Sequence, residues 1–275
     1  MTAFGTTLRR TSTTIAIGLT AALALTGCGA GGNDPADPDA PLVVGASPEP
    51  HGTILNFVED ELAEEAGLEL EVEEFTDYVT PNQALDEGSL DANFFQHEPY
   101  LDEYNASHGT DLVAVSGVTV GPMAVYSNKL DDLGALPDGA TIAVPNDPTN
   151  EARALRVIAD AGLITLPEDG QTPDDITENP KNLQFEELEA AQVPRSLDDV
   201  DAAVINDNYA LEADFTKEDQ LSVEKVEGNP YANVLVTRQE NKDDPRVQKL
   251  LELLQAPETQ KFIEDEYNGL ILPAE

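Results

Sequence analysis

An arginine near the start of an expected helix is the first residue with evident chemistry. Residues 145–153 read PNDPTNEAR, following a short β-type run at 141–144 and leading into a helix expected over 151–161, capped by Asn150 and stopped by Gly162. Arg153 then falls in the first helical turn, where the macrodipole disfavours a cation by a few tenths of a kcal/mol up to ~1 kcal/mol. Two readings are open. Either an anion is held there by the guanidinium fork and the free helix N–H groups together, or Arg153 pairs with Glu151 or another of the 54 acidic side chains. A second cluster, FFQHEPY at 94–100, gathers Phe94, Phe95 and Tyr100 in a chain with seven Tyr, eight Phe and no Trp, and Tyr78 lies in another Pro-containing turn, YVTPN. Aromatic side chains beside turns can line a pocket for an apolar or sulfur-bearing group, since thioethers contact ring edges favourably by ~0.3–1.5 kcal/mol. They are also common core residues.

Three histidines, His51, His97 and His108, pose the question of a metal. A metal site would need His51 and His97 to meet in a cleft with carboxylates, and neither His-x-x-x-His, His-Glu-x-x-His nor paired Cys spacing is present. There is no Gly-x-Ser-x-Gly, no phosphate-cradling Gly-Lys-Ser/Thr loop and no thiol nucleophile, so no catalytic residue is assigned and no cofactor is expected. His97 beside Glu98 would point to the opposite face of a strand.

The elements that must position these side chains alternate. Residues 42–45 form a short apolar run; Ile54, Leu55, Val58, Leu62 and Ala66 recur at helical spacing until Gly67; Leu68, Leu70 and Val72 then alternate with Glu69, Glu71 and Glu73. The period switches from 3.6 to 2, which defines a βαβ unit and a parallel sheet. Strands are expected at 112–120, 123–126, 141–144, 202–205 and 234–237, a helical segment capped by Ser196, and two closing helices at 245–255 and 257–267. Two separate α/β starts imply an α/β protein of two lobes, crossed near 127–133 and 228–232. Ligands in such folds sit outside the carboxyl ends of the strands, in the cleft.

The formal net charge is −40, with 14 basic residues. This argues against a nucleic-acid partner, whose phosphates need clustered Lys and Arg. It fits a solvated acidic shell suited to high ionic strength. At the N-terminal end, Arg9 and Arg10 precede an apolar run at 15–25 that is too short to span a membrane, which takes ~20 residues. LTGC ends at Cys28, the only cysteine. The layout is that of a lipoprotein signal at 1–27, cleaved to leave Cys28 lipidated, with 28–41 a flexible tether of Gly, Asp, Pro and Ala. The protein is then expected to be lipid-anchored on the extracytoplasmic side of the cell membrane.

Several stretches together resemble the methionine-binding lipoproteins of bacterial ABC importers, the NlpA type: YVTPN at 78–82, DANFFQHEPYL at 91–101, LVAV at 112–115, AVPNDPTN at 143–150 followed by Arg153, ENPKNL at 178–183, PRSLDD at 194–199, AVIN at 203–206 and PYANVLVTR at 230–238. They run in the family's order across nearly the whole chain after Cys28. The resemblance implies a two-lobed periplasmic-binding-protein fold of type II, with lobe I at 42–128 plus 232–275 and lobe II at 129–231. It implies that Arg153 clamps an amino-acid carboxylate, that Asn206 and Asn233 fix the zwitterion's polar end, and that Tyr78, Phe95, His97 and Tyr100 enclose a thioether. The implied ligand is L-methionine or a close derivative, including the other enantiomer or a methionyl dipeptide. The implied partners are an ABC permease and its ATPase, with a monomeric binding protein and no chemistry performed on the ligand.

Overall fold

Strands along residues 40–274, the part described by this computed structural model, fall into two sheets. The expected leader, Cys28 and all but the end of the tether lie outside the described residues. In chain order the strands are β1 (Leu42–Ala46), β2 (Leu70–Glu74), β3 (Ala92–His97), β4 (Leu112–Val120), β5 (Ala124–Tyr126), β6 (Thr141–Pro145), β7 (Gln184–Leu188), β8 (Ala202–Ile205), β9 (Ser222–Val223), β10 (Ala232–Arg238) and β11 (Leu272–Pro273). The first sheet has the order β11-β4-β10-β3-β1-β2 and the second β7-β6-β8-β5-β9.

The opening βαβ unit is present, with β1 and β2 parallel and Leu42 opposite Leu70. The connecting helical segment at 53–66 ends at Gly67 with φ 67°, a left-handed conformation that glycine adopts without steric penalty. β3 also runs parallel to β1, whereas β10 is antiparallel to both β3 and β4. In the second sheet β6 lies parallel to β7 and β8, and β5 pairs antiparallel with β8.

Period-2 patterning explains how each sheet buries both faces. Leu42, Val44 and Ala46 of β1 pack with Ile54, Leu55, Val58 and the C-terminal helices, while Val43 faces the cluster of Leu85, Phe95, Tyr100 and Val236. In β8, Ala202 and Val204 join the core under the helix Pro148–Asp160, and Ala203 and Ile205 join Val193, Leu197 and Tyr209 on the other face. Each fully buried Leu, Ile or Val stabilises its lobe by roughly 1.5–3 kcal/mol. The closing helices, Pro245–Leu254 and Pro257–Tyr267, return to the first sheet, where Phe262 stacks on Phe57 at 4.2 Å.

Three expectations are corrected. β5 pairs in the second sheet, so the chain first crosses at 121–123 and not after 128; the return crossing precedes β10 at Ala232. Ser196 does not cap a following helix but ends a short one, Val193–Ser196. The helix expected at 151–161 starts earlier, at Pro148: proline's fixed φ suits the first helical position, and the Asp147 carboxylate accepts the Asn150 N–H at 3.0 Å as the cap. Arg153 therefore sits in the second turn, beyond the free N–H groups.

Candidate functional site

The two sheets meet at a small cavity of about 10 Å³, lined by Tyr78, Phe95, Gln96, His97, Tyr100, Asn150, Arg153, Asn206, Asp207, Asn208 and Asn233. Its residues come mainly from strand ends. Phe95 and His97 close β3, Asn206 follows β8 and Asn233 opens β10. The cavity thus sits where parallel α/β sheets place ligands.

The aromatic end is built in the first lobe. Tyr78 lies 6.0 Å from Phe95 and 5.9 Å from Tyr100, and the Tyr100 hydroxyl donates to the Tyr78 carbonyl at 2.9 Å. Burial raises the pKa of both phenols, so they remain neutral donors. Behind them, buried amides brace β3: Asn82 Nδ2 donates to Gln96 Oε1 at 2.8 Å, and Gln96 Nε2 donates to Asn82 Oδ1 and Asn93 Oδ1. A fully buried strand carrying such amides lacks the apolar-polar alternation by which strands are read, so β3 is not marked in the sequence.

At the polar end Arg153 is buried and held by partners distant in sequence. Its Nε donates to Glu224 Oε1 at 2.9 Å, Nη2 donates to Glu224 Oε2 at 2.6 Å and to the Gly121 carbonyl at 2.9 Å, and the Tyr231 ring lies 4.5 Å below the guanidinium. Burial opposes the charge, but the Glu224 carboxylate outweighs it and the pKa of Arg153 rises. Of the two readings left open by the sequence, pairing with a carboxylate is present, through Glu224 and not Glu151. One corner remains, since Nη1 makes no hydrogen bond among the described residues. Two buried acceptors on the cavity wall, Asn206 Oδ1 and Asp207 Oδ2, also lack a hydrogen-bond partner. Burial pushes the Asp207 carboxyl up, and the Arg153 charge works against that shift.

Hydrogen bonds join the lobes across the cavity. His97 Nδ1 accepts the Tyr100 backbone N–H at 3.1 Å, so the neutral ring carries its proton on Nε2 and donates it to Asn150 Oδ1 at 3.2 Å. Asn206 Nδ2 donates to the same oxygen at 2.9 Å, and the Tyr78 hydroxyl donates to Asn208 Oδ1 at 2.5 Å. Burial, reinforced by the Arg153 charge, lowers the His97 pKa to about 3. Both nitrogens of His97 are thus committed, and those of His51 bond Ser47 and Asn233. Among the described residues no three His, Cys, Asp or Glu side chains converge as metal ligands. The metal reading of His51 and His97 fails on that geometry.

All seven residues singled out in the sequence, Tyr78, Phe95, His97, Tyr100, Arg153, Asn206 and Asn233, line the cavity. Sequence reasoning missed Gln96, Asn150, Asp207, Asn208 and, behind Arg153, Glu224 and Tyr231. Asp207 and Asn208 could have been found, because they directly follow Asn206 at the carboxyl end of β8. Glu224 carries no local signal, lying 71 residues from its partner.

A cleft between two α/β lobes, polar at one end and aromatic at the other, defines a two-lobed substrate-binding protein. The family profile for NlpA lipoproteins matches residues 42–275, and the chain belongs to that family. It is 43% identical over 258 residues to the D-methionine-binding lipoprotein MetQ of Escherichia coli (strain K12), covering 91% of this chain and 93% of that protein. It is 40% identical to the membrane lipoprotein TpN32 of Treponema pallidum over 84% of this chain and 87% of that one. Among solved structures, a nutrient-binding protein from Burkholderia cenocepacia bound to methionine superimposes with a TM-score of 0.82 at 43% identity, covering 85% of this chain and all of that one.

Proposed function

We propose that this protein is the substrate-binding lipoprotein of an ABC importer and that its ligand is methionine or a close methionine derivative. The observation that carries this reading is the pairing of open groups with an aromatic chamber in one cavity. Arg153 Nη1 is the free cationic donor, Asn206 Oδ1 and Asp207 Oδ2 are free acceptors, and Tyr78, Phe95 and Tyr100 form the opposite end. A zwitterion matches the first set, its carboxylate on Nη1 and its ammonium, with three N–H donors, on the acceptors. An unbranched thioether matches the second. The methionine-bound Burkholderia relative and the MetQ proteins supply the same ligand class independently.

On this reading binding is the whole chemistry, and the ligand leaves unaltered. The lobes close on the ligand, which adds contacts to both, and the closed form docks on the membrane permease whose ATPase drives import. Lipid on Cys28 holds a monomeric protein at the extracytoplasmic face of the membrane. Calorimetric titration of the purified protein with methionine tests the reading; absence of binding up to millimolar ligand defeats it.

A further inference from the structure

His51 does not line the cavity, yet it touches a residue that does. It lies in the segment Pro48–Gly52, buried, its ring edge-on to Phe94 at 4.5 Å. Its Nε2 is 2.9 Å from Asn233 Nδ2 and its Nδ1 is 2.5 Å from Ser47 Oγ. The contacts form one consistent chain. Asn233 Nδ2, which can only donate, faces His51 Nε2, so Nε2 accepts and the single proton of the neutral ring is on Nδ1. That proton goes to Ser47 Oγ, whose own proton has the Glu49 carbonyl as its acceptor at 3.2 Å. The amide oxygen of Asn233 is then the arm left for the cavity, and among the described residues it accepts no hydrogen bond from protein. Burial holds the ring neutral, with its pKa lowered to about 3, so the relay persists at any ordinary pH.

We infer that His51 is a positioning residue for ligand recognition, acting through Asn233 by fixing its amide with the carbonyl oxygen toward the cavity, where it accepts from the ligand's ammonium group. An unanchored amide would flip and present N–H to a cation, which repels where the oxygen attracts. The role rests on the amino-acid reading of the cleft and specifies which end of the ligand His51 serves.

A double-mutant cycle read by calorimetry with methionine tests it, using wild type, His51→Phe, Asn233→Ala and the double variant. Phenylalanine keeps the ring on Phe94 and deletes the acceptor. His51→Phe alone is expected to weaken binding by about tenfold or more, the size of a hydrogen bond to a charged group. In the Asn233→Ala background it should change affinity by less than about twofold, because the residue it acts through is gone. Ser47→Ala leaves the imidazole in place and frees its tautomer. It should move affinity in the same direction and also fall silent without Asn233, which preserves the test should His51→Phe not fold. Unchanged affinity in both single variants, or equal losses with and without Asn233, would overturn the inference. Wild-type protein that binds no free amino acid would instead defeat the amino-acid reading.

Discussion

At the scale of single residues, the site turns on how Arg153 divides its five donors. Glu224 and the Gly121 carbonyl take the Nε and Nη2 edge, leaving Nη1 without a hydrogen bond among the described residues, the donor proposed for the ligand's carboxylate. Arg153→Ala removes the charge facing the ligand and strands Glu224, so methionine binding is expected to weaken by ~2–5 kcal/mol in a titration. Arg153→Lys should not restore it, since an ammonium cannot serve Glu224 and the ligand with one planar fork. The second residue-scale expectation concerns His97. Its folded pKa of about 3 lies below the ordinary value near 6.5, so the folded protein binds fewer protons than the unfolded chain between those limits. Its contribution is complete above about pH 6.5 and is lost as pH falls toward 3, by up to ~1.4 kcal/mol per pH unit. Glu151, its carboxyl raised to about 8 by burial and Glu187, works the opposite way between about pH 8 and its ordinary value. The measurement is therefore a comparison: the stability advantage of wild type over His97→Asn in thermal melts should shrink from pH 7 to pH 5, and a constant difference would contradict the neutral-ring assignment. The aromatics were legible at this scale because they stand beside turn residues; Arg153 was singled out from an expected first-turn position, and although it lines the cavity, the helix start at Pro148 puts it in the second turn. Glu224 and the Asn233–His51 contact were not legible, because sequence spacing carries no information about partners 71 and 182 residues apart.

At the scale of elements, β2 was legible from its alternation with glutamates and β1, β4, β5, β6, β8 and β10 from short β-rich apolar runs, and so were the two closing helices. β3 and the helix Glu98–His108 that follows it were not. All six residues of β3 are buried, including Asn93, Gln96 and His97, so the strand shows no exposed polar face. The start of the Pro148–Asp160 helix was misplaced because Asn150 was read as its cap, whereas Asp147 caps it three residues earlier with proline at the first helical position. The crossing after β4 exposes another dependence. A Cβ at Gly121 would lie 1.8 Å from Asp207 Oδ2 and 2.2 Å from its Cγ. The crossing can thus approach the helix after β8 only without a side chain, and there Gly121 also offers its carbonyl to Arg153. Gly121→Ala is expected to displace Asp207 at a cost of about 1–3 kcal/mol and to weaken methionine binding. A variant that melts and binds like wild type would show that Asp207 is free to move and is no part of the polar end.

At the scale of the whole molecule, two sheets of different topology each bury both faces and share one cavity, and interlobe hydrogen bonds from His97 and Tyr78 tie them together. The two-lobed architecture was legible from the double α/β start, whereas assigning β5 to the second sheet depended on a pairing between Tyr126 and Ala203 that no local pattern announces. In a chain of formal charge −40 the cleft's guanidinium is buried and paired with one carboxylate, Glu224. No helix among the described residues is long and apolar enough to cross a membrane, and the attachment proposed above is through lipid on Cys28. Cys28→Ser is accordingly expected to move the protein from the membrane fraction to the soluble fraction with methionine affinity unchanged; retention in the membrane fraction with lipid still attached by mass spectrometry would contradict the anchor.

The central claim is that one cavity reads both the zwitterion and the thioether, and competition calorimetry between methionine and alanine on the wild-type protein tests it most directly. The two ligands share the polar end and differ by the part enclosed by Tyr78, Phe95 and Tyr100, worth on the order of 2 kcal/mol at ~0.8 kcal/mol per buried methylene-sized group. Methionine should therefore bind more tightly than alanine by at least about thirtyfold, with norleucine between them. Equal binding of methionine and alanine would contradict it, reducing the aromatic end to ordinary core.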